Sequence, residues 1–370
     1  MNESLPQLGG LSAQQFLRRH WQRRPVLMRG AALGAAGRIS RQELFALARL
    51  PGVESRLVRG AEGHWTLRHG PFARLPALRE PQWTLLVQGC EAHLPVARAL
   101  MDAYRFLPDA RLDDVMVSWA ADGGGVGPHV DAYDVFLVQV AGRRRWRVSH
   151  QRDLGLIDGL PLKILRDFRA EHDWELEAGD ILYLPPLWAH DGVALGADCI
   201  TASVGFRAPS QQELAQSLLP RLLDADEDLP ALQRRYGDAG MAASATPAAL
   251  PPALQQFARE ALQRALAQPR LLERALGEWL SEPKAQQDFE PLLAPGQALR
   301  LAPGSRMLYD EQHVFVNGES FRAAGRDARL MRSLADTRQL CAVDRAKLSP
   351  AARQLVNEWL EEGWLWPSSI

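Results

Sequence analysis

The chain has 370 residues, with 43 basic against 44 acidic side chains and a formal net charge of −1. That length leaves room for about two or three domains with an ample core, and the balanced charge lacks the basic excess of a general nucleic-acid binder. Cys90, Cys199 and Cys341 are scattered, which excludes a cysteine zinc site and disfavours a disulfide framework. Met1 to Gly10 lacks the basic and apolar segments of a signal peptide. No stretch is apolar and long enough to span a bilayer, so a soluble cytoplasmic protein is expected.

Ser12 caps a short helix running to Trp21, and Arg23 to Gly30 reads as a strand. Ser40 and Glu43 form a cap and first turn for a helix reaching Leu50. Val53 to Arg59 and His64 to His69 have strand character, with a turn at Gly63 between them. Trp83 to Val87 is a further strand, and Pro95 suits the first turn of a helix over Val96 to Tyr104. From Val115 to Phe206 the chain is mostly short strands punctuated by Gly and Pro, the pattern of a jelly-roll barrel.

Within that stretch, Gly123-Gly124-Gly125-Val126-Gly127-Pro128 leads into His129-Val130-Asp131. Alternate strand residues share a face, so His129 and Asp131 point the same way, and a distant strand of a closed barrel can add His190. Two imidazoles and a carboxylate make a facial triad that holds Fe(II) and leaves positions open for a cosubstrate and O₂. Tyr133 to Val140 reads as a strand, Ala141-Gly142 as a hairpin turn and Arg143 to Val148 as the returning strand. Parity then puts Arg144, Trp146 and Val148 on the inner face and Arg143, Arg145 and Arg147 on the solvated one. An arginine inside a barrel needs an anion to offset its desolvation; a dicarboxylate cosubstrate supplies one as a bidentate pair. Ala178-Gly179-Asp180 is a turn, Ile181 to Leu184 a buried strand, and Pro185-Pro186 a stiff lead to His190. Trp119, Trp146 and Trp188 serve either a substrate groove or the core. Asp122, Tyr133 and Asp134 either meet a basic substrate or make turns and salt bridges.

The texture changes at Pro209. Gln211 to Leu223 is helical, with Leu214, Leu218, Leu219 and Leu222 on one side. Met241 to Leu254 is a linker or surface excursion, and Leu254 to Leu280 is strongly helical. Beyond Leu292, Ala298 to Leu301 and Met307 to Tyr309 read as strands, and Asn317-Gly318 is the turn of a hairpin joining His313–Val316 to Ser320–Arg322. Helices follow near Ala328 to Leu340 and Ser349 to Glu362, a winged-helix-like arrangement. The last helix carries Arg353 against Glu358, Glu361 and Glu362, the wrong charge for a recognition helix on DNA. The expected organisation is a catalytic barrel over residues 1–208, a helical dimerisation region over 209–290 and a small α+β winged-helix-like unit over 291–370.

The segments G-G-G-V-G-P-H-V-D-A-Y-D-V-F, G-R-R-R-W-R-V, G-D-I-L-Y-L-P-P-L-W-A-H-D-G and S-V-G-F-R-A-P resemble the JmjC-type, cupin-fold 2-oxoglutarate oxygenases. Within these the chain is similar to bacterial ribosomal oxygenases that hydroxylate an arginine of large-subunit ribosomal protein number sixteen. The likeness runs from Phe16 to Pro209. It implies a double-stranded β-helix, iron on His129, Asp131 and His190, and 2-oxoglutarate paired with Arg144. It also implies polar cosubstrate contacts at Thr201, where the family often has Asn, and at Ser118. A homodimer through the middle helices, with stripes at Leu214/Leu218/Leu222 and Leu262/Leu266, is implied as well. Two alternatives stand beside this hydroxylase: a cupin isomerase or dioxygenase that does not use 2-oxoglutarate, and a non-enzymatic regulator.

Overall fold

The computed structural model describes residues 8–31, 39–61, 64–224, 234–239, 248–267, 269–284, 287–292 and 297–368. The expected turn at Gly63 and the first half of the expected linker from Met241 to Leu254 lie outside them. Helix α1 (Ala13–Arg19) starts at Ser12, whose hydroxyl accepts from the Gln15 amide while Gln15 reaches back to the Ser12 amide. Ser40 and Glu43 make the same reciprocal cap for α2 (Arg41–Leu47). Each cap satisfies amides that the first turn leaves without partners.

The strands β1 (Val26–Met28), β2 (Ser55–Ala61), β3 (His64–His69) and β4 (Trp83–Val87) precede helix α3 (Pro95–Asp102), and β5 (Leu112–Ala120) follows it. Next come β6 (Tyr133–Ser149), β7 (His172–Glu177), β8 (Ile181–Leu184) and β9 (Ala189–Arg207). All belong to one sheet ordered β1-β8-β6-β9-β5-β4-β2-β3, with β7 also on β6. Every pairing in it is antiparallel. The first half of β6 pairs with β8 and the second half with β7, while β9 runs beside both halves. The long sheet thereby bends over on itself as a jelly roll.

That bend corrects one expectation. Ala141-Gly142 is not a hairpin turn: β6 is a single strand of 17 residues that passes through it. Register shifts flank Ala141, and Gly142 sits at φ +65°. A Cβ on Gly142 would lie 2.9 Å from the Asp198 carbonyl oxygen, so glycine is needed for close approach as well as for its backbone angle. Opposite it, β9 runs for 19 residues and keeps pairing on both sides, so the glycine turns a corner and does not reverse the chain. The parity of Arg143 to Val148 is local and survives: Arg144, Trp146 and Val148 are buried, whereas Arg143 and Arg145 are exposed.

One face of the sheet carries the core. Phe16, Phe136, Tyr183, Phe206 and Tyr104 are all within 1 % of full burial, and Phe136 meets Tyr104 at 4.5 Å and Phe16 at 5.3 Å between ring centres. Removing a ring of this kind costs about 3–5 kcal/mol.

The chain divides into two compact units, one of Met1–Ala208, Pro283–Ser305 and Cys341–Ile370, the other of Pro209–Glu282 and Arg306–Leu340. In the second, α4 (Gln211–Asp224) precedes α5 (Pro252–Leu266) and α6 (Pro269–Ser281). The helical stretch expected from Leu254 to Leu280 is made of two helices. Pro269 has no N–H to continue the ladder and is tolerated only in a first turn, so it opens α6. Leu214, Leu218 and Leu222 of α4 pack on Leu271, Ala275, Leu276 and Trp279 of α6; Leu262 and Leu266 of α5 are 59 % and 50 % exposed. In chain order β10 (Ala298–Leu301), β11 (Met307–Tyr309), β12 (His313–Val316), β13 (Glu319–Arg322), α7 (Gly325–Thr337), β14 (Gln339–Leu340), α8 (Ala342–Ala346), α9 (Pro350–Glu361) and β15 (Leu365–Ser368) follow. The hairpin of β12 and β13 turns at Asn317 and Gly318, both at positive φ, as a two-residue turn requires. Helix α8 and strand β15, which pairs with β10, have no counterpart in the elements expected from sequence.

Candidate active site

His129 and His190 face each other across a two-residue bridge, their backbone amides and carbonyls exchanging hydrogen bonds at 3.0 and 2.9 Å. The glycine run upstream allows this. Gly123 and Gly124 bond to Ala194 on β9, and a Cβ on Gly125 would sit 2.6 Å from the Gly192 carbonyl oxygen. The segment therefore lies against β9 and delivers His129 beside His190. Asp131 Oδ2 is 3.7 Å from His129 Nε2 and 3.6 Å from His190 Nε2. One ligand atom from each of the three falls within 4.8 Å of the others.

Both rings are held for ligation. His129 Nδ1 donates to the Gly127 carbonyl at 2.9 Å and His190 Nδ1 to the Trp188 carbonyl at 2.8 Å. With Nδ1–H committed, the lone pair of each Nε2 points at the shared space. The electrostatics follow from this crowding. Burial, with His129 alongside, pushes the His190 pKa down to about 4. Burial also opposes charge on His129, but Asp131 outweighs it and raises that pKa. Asp131 is held well below the usual carboxylate range, burial being overcome by His129, His190 and Arg56. A carboxylate and two imidazoles so close favour a divalent cation.

The triad opens into a cavity of about 530 Å³, within the usual range for a small-molecule site. Apolar side chains such as Val135, Leu137 and Trp146 line it together with Arg144, Ser118 and Thr201. Arg144 is 4 % exposed. Its Nη1 lies 3.4 Å from the Gly192 carbonyl oxygen and its guanidinium carbon 5.6 Å from the centre of the Trp146 ring. Its Nε and Nη2 have no hydrogen-bond partner among the described residues. A buried guanidinium with two idle donors is costly unless an anion meets it, and a carboxylate matches that fork in both charge and spacing. Thr201 Oγ1 donates to Gln139 Oε1 at 3.0 Å, and Ser118 Oγ lies 3.4 Å from the Thr201 carbonyl oxygen.

Other candidates separate. Trp146 lines the cavity, whereas Trp119 is packed in the core with its ring centre 4.5 Å from that of Trp83. Trp188 stacks on His150 at 4.8 Å outside the cavity lining. Tyr133 lines the cavity. Asp134 is fully buried and accepts from Tyr183, Gln22 and Arg111. Asp122 accepts from the Gly196 amide at 2.7 Å, a turn contact. Sequence reasoning missed Arg56, Asp113, Asp114, Met116 and Lys284, all in the cavity wall. The available signal was Asp113-Asp114 at the head of an otherwise apolar strand; nothing local marks Lys284.

The JmjC domain family model matches residues 99–214, and the ROXA-like winged helix model matches residues 263–366. The ribosomal protein uL16 3-hydroxylase of Escherichia coli (strain K12) is 38 % identical over 332 residues, covering 86 % of this chain and 87 % of that protein. A probable ribosomal oxygenase of Haemophilus influenzae is 35 % identical over 225 residues, 59 % of this chain and 55 % of its own. The X-ray structure of E. coli ycfD superposes with a TM-score of 0.84 at 34 % identity, covering 96 % of this chain and 98 % of that one. A structure of the E. coli ribosomal oxygenase YcfD in complex with cobalt and 2-oxoglutarate gives 0.81 at the same identity and coverage. Jelly roll, open triad and winged helix together define an oxygenase scaffold of the JmjC type. The chain belongs to the JmjC-domain ribosomal oxygenases.

Proposed function

We propose that this protein is an Fe(II)- and 2-oxoglutarate-dependent hydroxylase of an arginine side chain in ribosomal protein uL16. The observation that carries the reading is Arg144, a buried guanidinium with unpaired Nε and Nη2 in the same cavity as an open His129/Asp131/His190 set. It favours a 2-oxoglutarate enzyme, whose cosubstrate always brings a distal carboxylate for that arginine, over a cupin isomerase or other dioxygenase that uses no such cosubstrate. The uL16 hydroxylase of E. coli, similar over most of both chains, supports the substrate, and the YcfD complex with cobalt and 2-oxoglutarate supports the cofactors.

When bound, iron, 2-oxoglutarate and O₂ supply the oxidation of an unactivated C–H bond to an alcohol. The chain supplies placement. Carbonyls of Gly127 and Trp188 fix the two imidazoles by their Nδ1–H groups, Arg144 orients the distal carboxylate of the cosubstrate, and Ser118 and Thr201 offer hydroxyls on the same wall. Val135, Leu137 and Trp146 keep the surroundings apolar and limit water. Residues 1–208 carry the chemistry, 209–290 serve dimerisation and 291–370 take part in recognising the basic protein substrate. The exposed leucines of α5 support a homodimer. Glu358, Glu361 and Glu362 in and after α9 speak against a DNA partner. Among the described residues no helix is long and apolar enough to cross a membrane, and we place the enzyme with its ribosomal substrate in the cytoplasm.

The test is succinate release with iron and 2-oxoglutarate on recombinant uL16, followed by mass spectrometry of the product. A gain of one oxygen on an arginine is expected. No turnover of uL16 would sink the reading.

A further inference from the structure

Strand β5 begins irregularly. Its register against β9 shifts between Leu112 and Val115, and the shift lets the adjacent Asp113 and Asp114 both line the cavity that holds the triad. In regular pleating they would point to opposite faces. Both are at least 95 % buried. A third carboxylate, Glu91, is buried behind them and accepts from the Val115 amide at 2.8 Å. Burial, then the charge of Asp114, raises its pKa to about 7.

Two cations answer this acidic group. Arg207 of β9 donates from Nε to Asp113 Oδ1 at 2.9 Å. Lys284 donates from Nζ to Asp113 Oδ2 at 2.8 Å and lies 4.0 Å from Asp114 Oδ2. Asp114 otherwise accepts from the Gly89 amide at 3.1 Å. The two aspartates diverge accordingly. Burial works against charge on both, but Lys284 and Arg207 pull Asp113 below its usual range. Asp114 stays raised by burial and by Asp113, with Lys284 opposing.

Lys284 differs from Arg207 in how it is held. Arg207 is the last residue of a long, paired strand. Lys284 comes from the irregular segment after α6, beyond the matched JmjC domain, and its side chain is one-third exposed. A flexible ammonium on a four-carbon stem makes a contact that a planar guanidinium can replace with two parallel hydrogen bonds. We propose that Lys284 is a built-in competitor for the cationic side chain of the substrate: it occupies the carboxylate pair at Asp113 and Asp114 until an arginine displaces it. The inference rests on the reading of an arginine-bearing substrate. Its consequence is a lowered apparent affinity for every incoming cationic side chain, because affinity falls by the fraction of sites left competent; a guanidinium recovers the difference through its two parallel hydrogen bonds.

A brace and a competitor predict opposite signs. In Lys284→Gln a competitor is gone, and KM for uL16 falls by about threefold or more, while KM for 2-oxoglutarate does not follow. A KM for uL16 that is unchanged or raised overturns the proposal. The wild-type protein gives a second measurement that does not depend on a variant folding. Acetylation of Lys284 by a water-soluble N-hydroxysuccinimide ester, read by mass spectrometry, increases when iron-loaded enzyme is saturated with uL16. Protection of Lys284 by uL16 overturns the proposal. Absence of wild-type turnover on uL16 would sink the substrate reading and this inference with it, whereas turnover with Lys284 protected sinks the inference alone.

Discussion

The barrel and the helical middle of this chain leave different things unsatisfied. In the barrel the core is tightly filled: Phe16, Trp83, Val117, Phe136 and Val204 are fully buried or within 1 % of it, while Leu50, Leu78 and Leu187, far apart in the chain, stay about half exposed. What remains on the cavity wall without a hydrogen-bond partner among the described residues is polar: Nε and Nη2 of Arg144 and Nε1 of Trp146. In the helical region the imbalance is reversed. Helix α4 spends its leucine stripe on α6, but α5 shows Leu254, Leu262 and Leu266 at 39 %, 59 % and 50 % exposure. An idle buried donor calls for a small ligand with lone pairs; an idle apolar face calls for another protein surface. The chemical site is recognised by the donor left over, and the proposed assembly site on α5 by the apolar face left over.

The largest effect is expected where the barrel's polar remainder is removed outright. His129→Ala or Asp131→Ala takes away a ligand of the open triad while leaving the bridge between the His129 and His190 backbones intact. Turnover on uL16 should become undetectable with iron supplied, and the melting temperature should stay close to the parent's. Activity retained in either variant would break the assignment of the site.

Arg144→Ala comes next. Losing a buried charge-assisted pair costs on the order of 2–5 kcal/mol, at least about 30-fold in affinity for 2-oxoglutarate. KM for the protein substrate should move far less. Arg143→Ala is the control from the opposite face of the same strand: Arg143 is exposed and lies 3.9 Å from Glu175, itself exposed, a pair worth little. Equal 2-oxoglutarate affinity in the two variants would show that the inner guanidinium does not read the cosubstrate.

The apolar remainder is tested by assembly. The wild-type protein should scatter light as a homodimer at micromolar concentration, and Leu262→Glu with Leu266→Glu should scatter as a monomer while the catalytic unit still binds 2-oxoglutarate. A wild-type monomer, or a dimer unmoved by the two charges, would mean that the exposed face of α5 has no partner copy.

The same division explains what the sequence made legible. Capped starts at Ser12, Ser40 and Ser349, the strands Trp83–Val87 and Ile181–Leu184 and the turn at Asn317-Gly318 are set by neighbours a few residues apart, so local chemistry suffices. Arg144 was found because strand alternation is local too. Gly142 misled because one backbone angle serves both a hairpin and a bulged corner, and only the length of β9 opposite decides between them. The periodicity from Leu254 to Leu280 marked helix without marking the break, which the missing N–H of Pro269 makes. Lys284 was invisible for a stronger reason: its place beside Asp113 is made by tertiary structure alone.

The smallest expected effect concerns Thr201, where the family often has Asn. Its hydroxyl lines the cavity but already donates to Gln139 Oε1, so only its lone pairs are free to meet a ligand. Thr201→Val keeps the shape and deletes the oxygen. A single neutral hydrogen bond is worth about 1 kcal/mol, or about fivefold in affinity, so KM for 2-oxoglutarate should rise by that order. The variant also strips Gln139 of a buried donor, which lowers the melting temperature whether or not Thr201 touches the cosubstrate. The two readouts therefore have to be taken together. A lower melting temperature with an unchanged KM would make Thr201 part of the wall alone. A raised KM in Thr201→Val alongside a parent-like KM in Ser118→Ala would assign the contact to Thr201 and leave Ser118, whose hydroxyl lies 3.4 Å from the Thr201 carbonyl oxygen, as its backbone support.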